Sequence, residues 1–342
     1  MNYKVVEIPD LYIGGSGYLN MEAILAQPYT FIIIVALRGG GKTYGALSWM
    51  LDNKKRFLYF RRTRNAAEIA ATAQFNLFKK LNADKGYGVE TSYNAKLGVG
   101  TFTREGETVG YITSLSTFSA LRSIDGSDLD FLLLDEFIPQ PEEPRRYDAF
   151  VAWSNADETI NRNREADGGQ PARRLLMANS DQIYGDIIAG YDIGDAFLWM
   201  QETGTEAVEI SKDMLILRPG MKELMERKKD TSLYRVTAGT DFQRVALENE
   251  FRIEDRERIR KQPLNEYQAF CRIRGITFYK HKTLQRMYVT RRTKGRPKTY
   301  ADTDSDFKRF LNENPGIWPA YLNKRMIFED LGAQQIFLKM FS

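Results

Sequence analysis

The run Ala36-Leu37-Arg38-Gly39-Gly40-Gly41-Lys42-Thr43 constrains this chain more than any other part of it. It follows the apolar stretch Phe31-Ile32-Ile33-Ile34-Val35 and opens into a helix-compatible segment, Tyr44 to Leu51. A buried strand, a glycine-rich turn, Gly-Lys-Thr and a helix make the layout of a phosphate-binding loop. Glycines let backbone N–H groups wrap a triphosphate, and the helix N-terminus adds a partial positive charge. On this reading Gly39, Gly40 and Gly41 cradle ATP, Lys42 reaches its β- and γ-phosphates, and Thr43 holds Mg²⁺. Ala36 stands where the usual spacing has a first glycine, and alanine accepts fewer backbone conformations.

A second element supports the first. Leu129-Asp130-Phe131-Leu132-Leu133-Leu134 runs into Asp135-Glu136. Apolar residues ending in two acids read as a buried parallel strand whose carboxyl end emerges at a site. Asp135 is then the Mg²⁺ residue, acting through water, and Glu136 polarises the attacking water. Phosphoryl transfer asks a protein mainly for positioning and charge stabilisation, which suits this division.

The strand–helix alternation extends over the first 200 residues. Strands are expected at Thr30–Ala36, Arg56–Arg62, Leu129–Leu134 and Arg174–Ala178. Helices are expected at Lys42–Asp52, about Ala66–Leu81 and about Arg146–Arg162, with a hairpin turning at Arg104–Glu107. The class is α/β, a P-loop NTPase with a parallel sheet and helices on both faces. Charged, helix-like Met221–Asp230 and Thr240–Glu250 read as a linker or lid. Beyond Phe251 a small α+β unit follows, with strands at Gln268–Ile273, Ile276–Tyr279 and Met287–Thr290 and a terminal helix Leu331–Met340. The expected division is 1–205 for the ATPase domain, 206–250 for the linker and 251–342 for the C-terminal domain.

Composition excludes several classes. No stretch of eighteen apolar residues is present, so no spanning helix is expected, and no signal peptide is visible. One cysteine, Cys271, and one histidine, His281, leave no protein-built zinc site. The lone thiol suits a reducing cytoplasm. Net charge is only +4, but Phe251–Tyr300 holds 15 Lys/Arg against 4 Asp/Glu. Such a block marks nucleic-acid contact or a solvated face. Asp302, Asp304 and Asp306 have metal-loop spacing but lack the glycine and terminal glutamate of a calcium loop, so a solvated loop is expected.

Charge near the γ-phosphate is needed beyond one lysine, and an arginine from a neighbouring subunit can raise the rate about 10³–10⁵-fold. Arg162, at the end of the helix after the acidic pair, is a candidate; the alternative is an arginine stabilised by a helix C-terminus. Arg122, before the acidic strand, and Arg38, inside the glycine loop, stand against ordinary solvated roles. Asn179 follows a third strand, where it either couples the γ-phosphate to movement or caps a helix. Arg61, Arg62 and Arg64 close the second strand and face phosphates or solvent.

With these residues placed, the chain resembles the genome-packaging ATPases, or encapsidation proteins, of small short-tailed phages with protein-primed replication, which are additional-strand P-loop ring motors. The resemblance rests on Phe31–Thr43, Phe57–Arg62, Phe131–Ile138, Asn161–Glu165 and Met177–Ser180, and continues more weakly through Gly275–Phe278, Met287–Thr290 and Met326–Phe341. It implies a ring, typically of five subunits, docked on the capsid portal in the host cytoplasm and passing double-stranded DNA along its axis. Some relatives place a structural packaging RNA between ring and portal. By position, Arg162 and Arg122 match residues acting in trans, Arg64 matches a residue facing DNA, and Asn179 matches a coupling segment. Arg145 and Arg146 lie on a loop where DNA contact is inferred from place alone. The C-terminal domain resembles an RNase H-type nuclease without its acids, so cutting is not expected. A helicase-like motor or a non-hydrolysing adaptor remain the alternatives.

Overall fold

Six consecutive apolar residues make Phe31–Ala36 a strand buried on both faces, and it lies near the middle of a ten-stranded sheet. The computed structural model describes residues 3–118, 125–139, 147–179, 185–240, 243, 247 and 258–341. The chain divides into two units, Met1–Gly190 with Ala196–Arg252, and Tyr191–Asp195 with Ile253–Ser342.

The first unit opens with β1 (Lys4–Val5), β2 (Tyr12–Ile13), β3 (Tyr18–Leu19) and α1 (Met21–Leu25), then β4 (Phe31–Ala36), α2 (Lys42–Asp52) and β5 (Phe57–Arg61). Helices α3 (Arg64–Ala71) and α4 (Lys79–Lys85) precede β6 (Glu90–Asn94), β7 (Val99–Arg104) and β8 (Glu107–Ser114). Then come β9 (Phe131–Asp135), α5 (Ala149–Asn161), β10 (Arg173–Asn179), α6 (Asp186–Gly190), α7 (Gly194–Thr203), β11 (Ala207–Ser211), β12 (Met214–Leu217), α8 (Lys222–Lys229) and α9 (Ser232–Val236). Sheet order is β1-β11-β12-β4-β10-β9-β5-β8-β7-β6. The six strands from β12 to β8 are mutually parallel, and antiparallel pairs close both edges. One strand, β10, separates the glycine-loop strand β4 from the acidic strand β9, which brings the ends of all three side by side.

The structure corrects three expectations. The helix expected at 66–81 is two helices. Its middle breaks because the Asn76 side chain accepts from Phe78 N at 2.9 Å, while Phe78 is drawn between Phe57 and Phe102 in the core. The segment from 206 is not purely a helical connector, since Ala207–Ser211 and Met214–Leu217 extend the sheet and bury Val208, Leu215, Ile216 and Leu217. The hairpin at Arg104–Glu107 forms as expected, turning on Glu105 and Gly106, both with positive φ.

The second unit is α+β. Strands β13 (Tyr267–Ile273), β14 (Ile276–His281), β15 (Met287–Thr290), β16 (Lys298–Thr299) and β17 (Met326–Phe328) form a sheet of order β16-β13-β14-β15-β17. Helices α10 (Asp304–Glu313), α11 (Ile317–Leu322) and α12 (Leu331–Phe341) cover one face around Phe278, Phe310 and Phe337. Phe337 and Met340 of the terminal helix are core residues. The third correction concerns Asp304 and Asp306, which belong to no loop. They occupy the first turn of α10, where Thr303 accepts from Asp306 N and acidic charge suits the helix dipole.

Candidate nucleotide site

Helix α2 begins at Gly41, whose φ of 87° is left-handed, and no side chain caps it. The N-terminus of an eleven-residue helix, with its partial positive charge, is a natural place for an anion. Lys42, 6% exposed, extends its ammonium to the carbonyls of Ala36 and Leu37, both at 3.0 Å, and to Asn179 Oδ1 at 3.1 Å. Asn179 reaches it because β10 runs alongside β4 with Asn179 opposite Ala36.

The two sequence motifs close on one another here. Thr43 Oγ1 donates to Asp135 Oδ2 at 2.7 Å. The same oxygen accepts the Tyr59 hydroxyl at 2.5 Å, and Oδ1 accepts Glu136 N at 2.9 Å. Tyr59 is fully buried in β5; burial and the neighbouring Asp135 charge push its pKa well above the ordinary value. The Thr43 hydroxyl and Asp135 carboxylate are hard oxygen donors, the chemistry Mg²⁺ requires. Glu136 sits just beyond the strand with φ of 53° and a half-exposed side chain. It is paired with Arg61, which also lies 3.9 Å from Asp135. Burial opposes the Arg61 charge, but Tyr59, Asp135 and Glu136 outweigh it and raise its pKa. Arg61 thus lies with Asp135 and Glu136 at the carboxyl end of the acidic strand. Arg64, by contrast, is exposed at the start of α3.

Two elements clasp the loop from outside. Leu19 N donates to the Gly40 carbonyl at 3.1 Å, and Lys228 of α8 donates to the Arg38 carbonyl. Arg38 itself is exposed. Met221, at the start of α8, packs so closely that a Cβ on Gly40 would lie 2.6 Å from its Cε. Met221 also lines a neighbouring cleft of about 530 Å³ with Tyr12, Gly17, Glu206, Lys222 and Met225.

Arg162 lies elsewhere. It caps the C-terminus of α5 with φ 41° and ψ −122°, an unusual conformation for a residue with a side chain, and is exposed. The end of α5 is pinned to the amino ends of the strands. Asn161 Oδ1 accepts Ala172 N at 2.7 Å, Arg164 donates to the Leu129 carbonyl at 2.9 Å, and Asp157 pairs with buried Arg174 at 2.8 Å. Lys42, Asp135 and Asn179 sit at the carboxyl ends. At ~3.3 Å per residue, five to seven strand residues put roughly 15–20 Å between the two edges. Arg122, Arg145 and Arg146 lie outside the described residues, as does most of 240–250.

Sequence reasoning missed Tyr59 and Lys228. Tyr59 reads as core inside an apolar strand, and Lys228 reads as one more charge in a basic helix; neither carries a local signal of its partner. The exposed cations of the basic block, among them Lys280, Lys282, Arg286, Lys294, Arg296 and Lys298, are on the second unit.

An additional-strand P-loop sheet with this lysine, threonine and acid pair defines a nucleotide-binding ATPase class. The family model of the podovirus DNA encapsidation protein (Gp16) matches residues 13–292, and the chain belongs to that family. Among solved structures it is similar to the Phi-28 gp11 DNA packaging motor, at 15% identity and TM-score 0.64, covering 96% of this chain and 97% of that one. It is also similar to a chain of the bacteriophage Phi-29 viral genome packaging motor assembly, at 16% identity and TM-score 0.62, covering 95% and 99%. At these identities the likeness is one of fold. No curated protein matches the chain.

Proposed function

We propose that this chain is an ATP-driven motor that packages a phage genome, moving double-stranded DNA through the portal into a preformed capsid. The observation that carries the reading is the Thr43–Asp135 hydrogen bond, which joins the glycine loop to the acidic strand across 92 positions of sequence. Family membership supplies the DNA-packaging context.

The residues divide the work as phosphoryl transfer requires. Backbone N–H groups at the start of α2 and the Lys42 ammonium hold the phosphates, with Lys42 leaving the Ala36 and Leu37 carbonyls for them. Thr43 and Asp135 would hold Mg²⁺, which supplies charge neutralisation across the β- and γ-phosphates. Tyr59 keeps the Asp135 carboxylate oriented. Glu136 takes the proton of the attacking water, which requires that its carboxylate loosen from Arg61. Asn179, bonded to Lys42, senses the γ-phosphate and passes its loss to β10. The cleft beside Met221 takes the base.

Arg162 is too far from its own loop to serve it, so it acts on the nucleotide of a neighbouring copy in a ring, which we take as five subunits, and Arg122 is assigned the same role in trans. Arg64, Arg145 and Arg146 contact DNA through phosphates, a grip independent of sequence. The ring docks on the portal of the prohead in the host cytoplasm, with a packaging RNA as a further partner. The second unit does not cut DNA. Strands β13 to β16 carry no carboxylate, and Glu329, beyond β17, is engaged by Thr290 and Arg292.

The test is packaging of DNA by purified proheads, wild type against Glu136→Gln, read as DNase-protected genome. Protection by wild type alone supports the reading; equal protection by the variant, or none by wild type with its own portal, refutes it.

A further inference from the structure

A second lysine, which the mechanism above does not use, reaches the phosphate loop from α8. Lys228, on α8, lies seven residues beyond Met221, which caps the start of that helix, and both contact the outer side of the loop. Met221 covers Gly40 while the Lys228 ammonium sits over Gly39 and donates to the Arg38 carbonyl. Gly39 leaves room for this approach. A Cβ there would stand 3.3 Å from Nζ, and its φ of 73° already favours glycine. The neighbouring Arg227 ties α8 to the β2–β3 hairpin, donating to the Ser16 carbonyl of its turn at 2.5 Å with its guanidinium 5.7 Å from the Tyr18 ring. The helix is therefore fastened to the phosphate loop through Lys228 and to the β2–β3 hairpin through Arg227.

Lys228 is half-buried against the loop, and burial together with the nearby Arg38 charge lowers its pKa. A partly desolvated cation beside another cation is electrostatically unfavourable until an anion arrives. A cation on the Arg38 carbonyl also polarises the peptide that continues into the Gly39 N–H, making it a better donor to an oxyanion.

Resting on the reading of this loop as an ATP site, we propose that Lys228 is a positioning residue of that site. It latches α8 onto the phosphate loop and adds positive charge, so that affinity rises with the number of phosphates on the nucleotide. Its action is through the loop backbone and not through contact with the base.

The test is equilibrium binding of fluorescent ATP, ADP and AMP analogues to the full-length protein, comparing wild type, Lys228→Met and Lys228→Arg, with Lys228→Gln replacing the methionine variant if that loses its cooperative melt. Loss of the charge weakens ATP about tenfold, ADP less and AMP hardly at all, and arginine restores ATP to within about twofold. Unchanged ATP binding in Lys228→Met overturns the proposal. An equal loss for all three nucleotides, or an arginine variant as weak as methionine, also overturns it, because either marks a purely structural role. Wild type that binds no ATP would instead sink the ATP-site reading, and this inference with it.

Discussion

Removing one oxygen from the core of the nucleotide site, by Tyr59→Phe, isolates what orients the acidic strand. The Tyr59 hydroxyl makes a short bond to Asp135 Oδ2, which Thr43 shares, and Oδ1 is held by Glu136 N. A hydrogen bond to a charged acceptor contributes about 1.5–3 kcal/mol. Asp135 keeps two other donors and phenylalanine fills the same volume, so no large cavity or orphaned charge results. The expected net loss is about 1–2 kcal/mol, a fall of roughly 2–8 °C in melting temperature at ~2–4 °C per kcal/mol for a unit of this size. The larger effect falls on the metal, because partners that orient a ligand carboxylate typically govern about 10–100-fold in affinity. Titrating Mg²⁺ against a fixed concentration of fluorescent ATP analogue should move the midpoint at least about tenfold upward. A variant with wild-type melting and an unshifted Mg²⁺ midpoint would refute the orienting role; one with lower melting alone would leave Tyr59 a structural residue. The pH sign is defined as well. Because the Tyr59 pKa is raised, its contribution to stability is complete below the ordinary tyrosine value near 10 and is lost as pH climbs through the raised one, so the mutational loss should be constant across neutral pH.

Further outcomes follow from other contacts. Gly40→Ala forces its methyl onto Met221 and should cost about 1–3 kcal/mol by overpacking; combined with Met221→Ala the loss should be well below the sum of the two, and strict additivity in denaturant melts would rule the contact out. Arg162→Ala should retain ATP binding yet lose hydrolysis in assembled rings. Mixing it with Glu136→Gln should recover part of the activity, since some subunits then pair an intact Glu136 with a neighbour's Arg162; no recovery at any ratio contradicts action in trans. Affinity for duplex DNA should fall steeply as salt rises from about 50 to 200 mM, as phosphate-dominated binding does, and filter binding showing a flat response would remove the DNA-gripping role of the arginines.

The parts of this protein legible in sequence are those where one short segment carries its own signal. Ile32 to Thr43 alternates from an apolar strand to glycine to a helix, and Phe131 to Glu136 ends an apolar strand in acid; both landed where expected, with Asn179 between them. What stayed hidden depends on partners far along the chain. Tyr59 meets Asp135 76 residues away, and Lys228 meets Arg38 across 190. Edge strand β6 is polar on its exposed positions and gives no hydrophobic period, and the charges of Glu209, Lys212 and Asp213 masked the hairpin of β11 and β12. Asp304 and Asp306 read as a solvated loop with metal-like spacing, because closely spaced acids occur in solvated loops and metal loops as well as at helix starts. The place of Arg162 was visible from its helix, but that it sits at the opposite edge of the sheet from its own loop became clear only from the pairing of α5 with the amino ends of β9 and β10.

The most direct measurement is steady-state ATP hydrolysis with no DNA, with long duplex and with single strands, wild type beside Glu136→Gln. Hydrolysis stimulated by duplex in the wild type and abolished in the variant is the predicted result. Stimulation by single strands alone would contradict the packaging account in favour of a helicase, and wild-type rates in Glu136→Gln would contradict the site itself.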